Sequence, residues 1–198
     1  MTELVRPGRS DARRNRERLV IAAAEEFAER GLSAAPADIA RRAKVGVGTL
    51  YRHFPQREAL VDAAFQRELQ RICAAAPGLV DKHHAADALR VWANLYLDHA
   101  ATMDGMSDTL NAIVASGQDP YASSCAILRE ATNLILAAGA ADGTLRTDIG
   151  ADDILLMISG IAQAVSRHGT REQRARLVDL LVDGLTPVVS PRRSSAAH

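Results

Sequence analysis

The chain holds only two cysteines, Cys73 and Cys125, in 198 residues. Two thiols build neither a disulfide framework nor a Cys-rich zinc site, and no CxxC pair occurs, so reduced thiols in a cytoplasmic protein are the expectation. No run approaches the roughly eighteen consecutive apolar residues a membrane span requires. The Arg-rich stretch from Met1 to Arg18 leads into no uninterrupted apolar segment of the kind an export signal carries. Membrane insertion and export are both disfavoured. Period-two alternation is missing over any useful length, which argues against a sheet, and no fixed repeat appears. There is no Gly-rich phosphate loop, and Ser123, Ser124, Cys125 and the scattered acids form no nucleophile, base and orienter set. No catalytic residue and no cofactor are therefore expected. His83 and His84, near Asp81 and Asp87, are adjacent and project about 100° apart on a helix. Two metal ligands share a helix face at i, i+4, so no metal site is expected here.

What remains is an ordinary globular composition, 47% apolar and 24% charged, enough for one core and a small second one. The formal net charge is zero, but it is unevenly placed. Residues 1 to 60 carry twelve Lys/Arg against eight Asp/Glu, and residues 61 to 198 carry twelve against sixteen. A basic N-terminal part joined to an acidic remainder points to a polyanionic partner for the first sixty residues; chance scatter of surface charge is the alternative.

Apolar spacing is helical almost everywhere. Val20, Ala23, Ala24 and Phe27 mark a first helix from about Asp11 to Arg30, stopped by Gly31. Pro36 opens a short second helix through Ile39, Ala40 and Ala43, and Val47, Leu50 and Phe54 carry a short third, closed by Pro55. Val61, Phe65, Leu69 and Ile72 carry a fourth to about Ala76, where Pro77-Gly78 is expected to break it. Ala88, Leu89, Trp92, Tyr96 and His99 share a face of a fifth. Met106, Leu110, Ile113 and Val114 share a face of a sixth, ended by Ser116-Gly117. Asp119-Pro120 reads as the opening of a seventh, through Cys125, Leu128, Thr132 and Ile135. After a turn-rich stretch from Gly139 to Gly150, Ile154, Ile158, Ile161 and Val165 mark an eighth helix. Leu177, Val178, Leu181 and Leu185 mark a ninth, ended by Thr186-Pro187. The expectation is an all-α chain of about nine helices. Residues 1–56 form a three-helix helix-turn-helix domain, 57–189 a helical bundle, and 190–198 a disordered tail.

The two short helices joined by Lys44-Val45-Gly46, between two longer ones, have the layout of a helix-turn-helix. Such a unit lays its second helix in the DNA major groove with the N-terminal residues toward the base edges. Those residues are Val47, Gly48 and Thr49, whose small size lets the backbone N–H groups approach phosphate. Thr49 and Tyr51 are hydrogen-bond donors, Arg52 and His53 lie further along, and Leu50 and Phe54 point inward as core. The Arg-rich segment Arg6, Arg9, Arg13, Arg14, Arg16 and Arg18 has two readings, a phosphate-tracking or minor-groove arm, or a solvated helix entry.

The run Ile39-Ala40-Arg41-Arg42-Ala43-Lys44-Val45-Gly46-Val47-Gly48-Thr49-Leu50-Tyr51-Arg52-His53-Phe54, followed by Arg57-Glu58-Ala59-Leu60, resembles the signature of the TetR family of transcriptional regulators. The loop Gly143-Thr144-Leu145-Arg146-Thr147-Asp148 is similar to a recurrent feature of that family. The resemblance implies DNA contacts from Lys44, Val47, Gly48, Thr49, Tyr51, Arg52 and His53, with Arg57 at the usual phosphate-binding Lys position. It also implies a homodimer with a C-terminal domain that binds a small molecule. Three departures stand out. Lys44 and Gly46 replace the common Gly in the turn and Ser just after it, the usual Thr is missing from Ala34-Ala35-Pro36, and that stretch is one residue shorter. The pattern looks closer to an SbtR-like subgroup.

For the effector, Trp92, Tyr96, His99 and Met103 recur on one face, with Met106 and Leu110 following and Tyr121 and Leu128 opposite. This set reads either as a mostly apolar pocket with a few orienting polar groups, His99 and Tyr96 foremost, or as plain core. For the dimer, Leu155, Ile158, Gly160, Ile161, Ala162 and Val165, with Leu177 and Leu181, suit a two-fold four-helix interface; intrachain burial is the alternative. Ser159-Gly160 in mid-helix costs helix propensity but permits close backbone approach. The function expected is that of a homodimeric repressor released from a pseudo-palindromic double-stranded operator by a small, largely apolar effector. A helical small-molecule carrier or protein-interaction module without DNA readout is the alternative.

Overall fold

The computed structural model describes residues 9–102, 122–166 and 169–187. They form α1 (Arg9–Arg30), a 3-10 turn (Gly31–Ser33), α2 (Pro36–Arg42), α3 (Val47–His53), α4 (Arg57–Val80), α5 (Ala85–Thr102), α6 (Ala122–Asp142), α7 (Ala151–Ser166) and α8 (Arg171–Gly184). No strand occurs among the described residues. The helix expected around Met106 to Val114, the Asp119-Pro120 opening and the tail at 190–198 lie outside them.

The chain divides into two compact units, Met1–Ala74 with Leu95–Leu128, and Ala75–Asn94 with Arg129–His198. α4, α5 and α6 each run through both units.

In the first unit, a buried cluster fills the head: Leu19, Ala23 and Phe27 from α1, Ile39 and Ala40 from α2, Leu50 and Phe54 at α3, and Leu60 and Ala64 from α4. α1 stops where Gly31 takes φ +63°, a left-handed backbone that glycine adopts without steric cost. Pro36 sits in the first turn of α2, where its missing N–H leaves no helical bond unmade. α2 ends in a Schellman turn: Val45 N–H donates to Ala40 O at 3.0 Å and Lys44 N–H to Arg41 O at 3.0 Å. Lys44 occupies the left-handed position of that turn with φ +55°. Gly46, by contrast, is extended (φ −71°, ψ 148°) and caps α3 with its carbonyl, receiving Thr49 N–H at 2.8 Å.

Two elements extend past their expected stops. α4 continues to Val80 with Pro77 inside it. In the last turn a proline removes one backbone bond and leaves the helical φ undisturbed, and Pro77 O still accepts Asp81 N–H at 3.1 Å. α6 runs through Gly139 to Asp142 and ends at Gly143, with φ +73°. Gly139 serves packing: a Cβ there would lie 2.5 Å from Leu145 Cδ1, and Leu145 is buried.

The second unit is closed by the loop after α6. Asp142 Oδ2 accepts Ala85 N–H at 2.9 Å and Thr144 Oγ1 accepts Ala86 N–H at 3.3 Å, so a distant loop caps the start of α5. Bonds from the Thr144 hydroxyl and the Ala85 N–H hold the Asp142 carboxyl below its ordinary pKa. Arg146 N–H donates to Leu185 O at 2.8 Å, tying the same loop to the end of α8. Arg90 joins α5 to α8 through Asp179 (2.8 Å) and Asp183 (3.0 Å). Thr170 caps α8 by accepting Gln173 N–H.

Candidate DNA-reading head

α3 is only two turns long, so its direction depends on what holds α2 and on its own buried side. Leu50 and Phe54 are buried, and the ring of Phe54 is covered by the Arg16 guanidinium at 4.8 Å from its centroid. The opposite side of α3 is open. Val47, Gly48, Tyr51 and Arg52 are exposed, Thr49 and His53 half-buried, and Lys44 is exposed at the corner leading in. Seven of the residues expected to read DNA thus stand along one end and one face of the short helix.

The basic residues of α2 are engaged within the head. Arg42 meets three carboxylates of α1: both nitrogens of its fork at 2.7 Å from Glu29, its Nε at 2.8 Å from Glu26, and a longer 3.5 Å approach to Glu25. The hydrogen bonds that Arg42 donates to Glu29 raise the Arg42 pKa further and lower that of Glu29. Glu26 is almost wholly buried, so the Nε contact ties α2 to α1 at a desolvated point, while the fork on Glu29 stays at the surface. Asp38 bridges Arg30 (2.8 Å) and Arg41 (2.6 Å). On α1, Arg18 donates to Asn15 and Arg14 pairs with Asp11, while Arg6 lies outside the described residues.

Arg57, the residue at the expected phosphate-binding position, is engaged within the head. It is half-buried, donates to the backbone oxygens of Leu32 and of Ala34 (2.9 Å), and lies 5.8 Å from the Phe27 ring centroid. Its guanidinium is drawn inward because the connector before α2 presents carbonyls that no helix satisfies.

The residues expected to line an effector pocket have different fates. Trp92 has no accessible surface and acts as core. Tyr96 is half-buried, Leu128 is buried, and Met103, Met106, Leu110 and Tyr121 lie outside the described residues. His99 is buried and stacks on Phe65 with ring centroids 5.0 Å apart. Burial lowers its pKa to about 4, opposed in part by the nearby Glu68 carboxylate. It borders a cleft of about 500 Å³ between α1, α4 and α5, whose other walls include Ile21, Ala24, Leu95, Arg67, Arg71 and Asp98. That cleft is more charged than the apolar stripe of α5 suggests.

The expected dimer residues are also redistributed. Ile158, Val165 and Leu181 are buried within their own chain, because the i, i+3, i+4 stripe of each helix faces its own core. Leu155, Ile161, Ala162 and Leu177 are half-buried, and Gly160 is exposed with open space where a Cβ would stand. The apolar side chains left in solvent are Leu156 (74% exposed), Met157 and Leu180 (69%). Their signal in the sequence is the apolar pair Leu156-Met157 on what should be the polar side of α7.

A buried core built from α1 to α4, with one side of the short α3 left outward behind a tight turn, has the layout of a helix-turn-helix head. Residues 19–64 match the model of the bacterial regulatory proteins of the tetR family, and residues 84–187 match the C-terminal domain of SbtR-like transcriptional regulators. The chain belongs to the TetR family of transcriptional regulators. Among solved structures, a TetR transcriptional regulator from Streptomyces coelicolor is 44% identical, with 87% of this chain and 99% of that one covered and a TM-score of 0.74. A TetR regulator from Mycobacterium vanbaalenii is 32% identical, with 91% and 100% covered and a TM-score of 0.64. No curated protein matches the chain. Among the described residues no helix is long and apolar enough to cross a membrane.

Proposed function

We propose that the protein is a homodimeric, cytoplasmic repressor that leaves a pseudo-palindromic operator when a small, largely apolar effector binds its C-terminal helices. The observation that carries the DNA part is the two-sided character of α3, with Leu50 and Phe54 in the head core and Val47, Gly48, Tyr51 and Arg52 in solvent. Val47 and Gly48 admit the helix N-terminus close to the duplex, Thr49 and Tyr51 donate hydrogen bonds, and Lys44, Arg52 and His53 meet the flanking backbone. Two such heads in a symmetric dimer read half-sites about one DNA turn, roughly 34–36 Å, apart.

The dimer reading rests on α7 and α8, where Leu156, Met157 and Leu180 leave apolar side chains in solvent and Leu156 shares a face of α7 with Gly160, four residues on. Effector release rests on population shift: the effector must bind a DNA-incompetent state more tightly than the DNA-competent one. The cleft beside His99, walled by Ile21, Ala24 and Leu95 with Arg67, Arg71 and Asp98 at its charged side, supports an effector with an apolar body and one polar end. α4, which begins in the head and extends far beyond it, is the lever.

Selection of random-sequence duplexes by the purified protein, then binding of the winner across salt concentrations, tests the reading. A pseudo-palindrome bound with steep salt dependence, and weakened by Thr49→Ala and Tyr51→Ala with unchanged helicity, supports it. Sequence-blind binding unaffected by these substitutions leaves the carrier or interaction module as the better account.

A further inference from the structure

We propose that Arg57 is a positioning residue that sets the start of α2, and through it the aim of α3, without contacting phosphate. The proposal rests on the DNA reading above and adds a role inside the head. Between α1 and α2 the chain reverses at Gly31, makes one 3-10 turn and enters α2 through Ala34-Ala35-Pro36. Nothing in that tripeptide has a polar side chain, Pro36 has no N–H, and the α2 cap residue Ala35 makes no side-chain cap bond. Local backbone N–H groups reach Gly31 O (from Ala34) and Ala35 O (from Asp38 and Ile39), whereas the carbonyls of Leu32 and Ala34 take their donor from outside the connector.

Arg57 supplies that donor from the first residue of α4. One guanidinium nitrogen donates to both Leu32 O and Ala34 O, and the group lies near the Phe27 ring, which is buried in the head core. A cation at a helix N-terminus is unfavourable toward the dipole of its own helix, and the two carbonyls give it an opposite partial charge to face. Three segments thus converge on one planar group: the end of α1 through Phe27, the connector through Leu32 and Ala34, and α4. The ammonium of a lysine ends one bond short of the nitrogen that makes both bonds, and it has no plane to lay over the Phe27 ring. The same contact gives any displacement of α4 a direct route to the origin of α2.

The test uses the full-length protein and its selected operator duplex, with Arg57→Lys and Arg57→Ala. The salt dependence of binding is measured together with amide hydrogen exchange over residues 32–39. A positioning role predicts that both variants lose operator affinity by roughly tenfold or more, as expected for loss of a charge-assisted bond. The slope of log K against log salt should stay at the wild-type value, and the amides at 34 and 38–39 should exchange faster in the free protein. A phosphate contact predicts that Arg57→Ala lowers the slope by about 0.9 per protomer, that Arg57→Lys restores slope and affinity, and that exchange is unchanged. That result overturns the proposal. Should Arg57→Ala not fold, Arg57→Lys decides alone, since it keeps the charge and removes the plane. Exchange in the free protein also separates the two claims: wild type without operator preference refutes the DNA reading, whereas unaltered exchange in Arg57→Lys refutes the positioning role.

Discussion

Lys44 is the point at which this head departs most from what backbone sterics favour, and Lys44→Gly should stabilise the protein while weakening its hold on DNA. Lys44 has φ +55° as the left-handed residue of the turn that ends α2. A non-glycine residue there costs roughly 1–2 kcal/mol in Cβ-to-carbonyl crowding. Glycine removes the crowding but adds about 0.5–1 kcal/mol of unfolded-chain freedom. The net gain is about 0.5–1 kcal/mol, or roughly 1–4 °C in melting temperature for a chain of this size. The Lys44 side chain is exposed and no bond of the turn uses it, because both closing bonds come from backbone N–H groups of Lys44 and Val45. Thermal unfolding by circular dichroism at fixed concentration measures the gain, and hydrogen exchange at the Val45 amide localises it. Lys44→Asn should fall between wild type and glycine, and Lys44→Val should melt below wild type, since branching at Cβ worsens the same clash. Operator affinity should move the other way, with a salt slope lower by about 0.9 per protomer if Lys44 meets a phosphate. A lower melting temperature for Lys44→Gly with a less protected Val45 amide would refute the steric argument.

Other outcomes follow from the remaining geometry. Gly139→Ala places its Cβ 2.5 Å from Leu145 Cδ1 and 2.6 Å from Leu145 Cβ and should cost about 1–3 kcal/mol in denaturant titrations; unchanged stability argues against the clash. Burial lowers the His99 pKa from 6.5 to about 4, so the unfolded chain takes up this proton first. Stability should therefore fall as pH drops from about 6.5 to about 4, by up to roughly 3 kcal/mol, and His99→Gln should flatten that limb in denaturant titrations. An equal slope in the variant assigns the loss to other groups. Leu156→Asp with Leu180→Asp should convert a dimer to monomers in sedimentation experiments without lowering helicity, because each leucine leaving a buried interface forfeits roughly 1.5–3 kcal/mol. Persistence of the dimer would move the interface away from α7 and α8.

The head was legible because its determinants are local. Leu50 and Phe54 lie four residues apart, Gly31 and Pro36 punctuate the chain where the backbone demands them, and the small residues at 47–49 stand at the opening of α3. Local signals misled at Pro77 and Gly139, where breaker residues sit inside helices. A proline in the last turn forfeits one bond only, and Gly139 is needed for the approach of Leu145 rather than for a turn. The apolar stripes of α7 and α8 were visible, but periodicity alone does not say whether a stripe faces its own core or a second copy. Burial assigns Ile158, Val165 and Leu181 to the core and leaves Leu156, Met157 and Leu180 outside.

By itself, the sequence determined the helical class, the helix-turn-helix and which side of α3 is core, since each depends on residues within a few turns of one another. Only the tertiary structure decided where long charged side chains end. Arg42 reaches back to Glu26 and Glu29, and Arg57 to the carbonyls of Leu32 and Ala34, across separations that no local pattern encodes. A flexible arginine can serve solvent, phosphate or its own fold, and which of these it serves is set by the unsatisfied groups that folding brings within its reach.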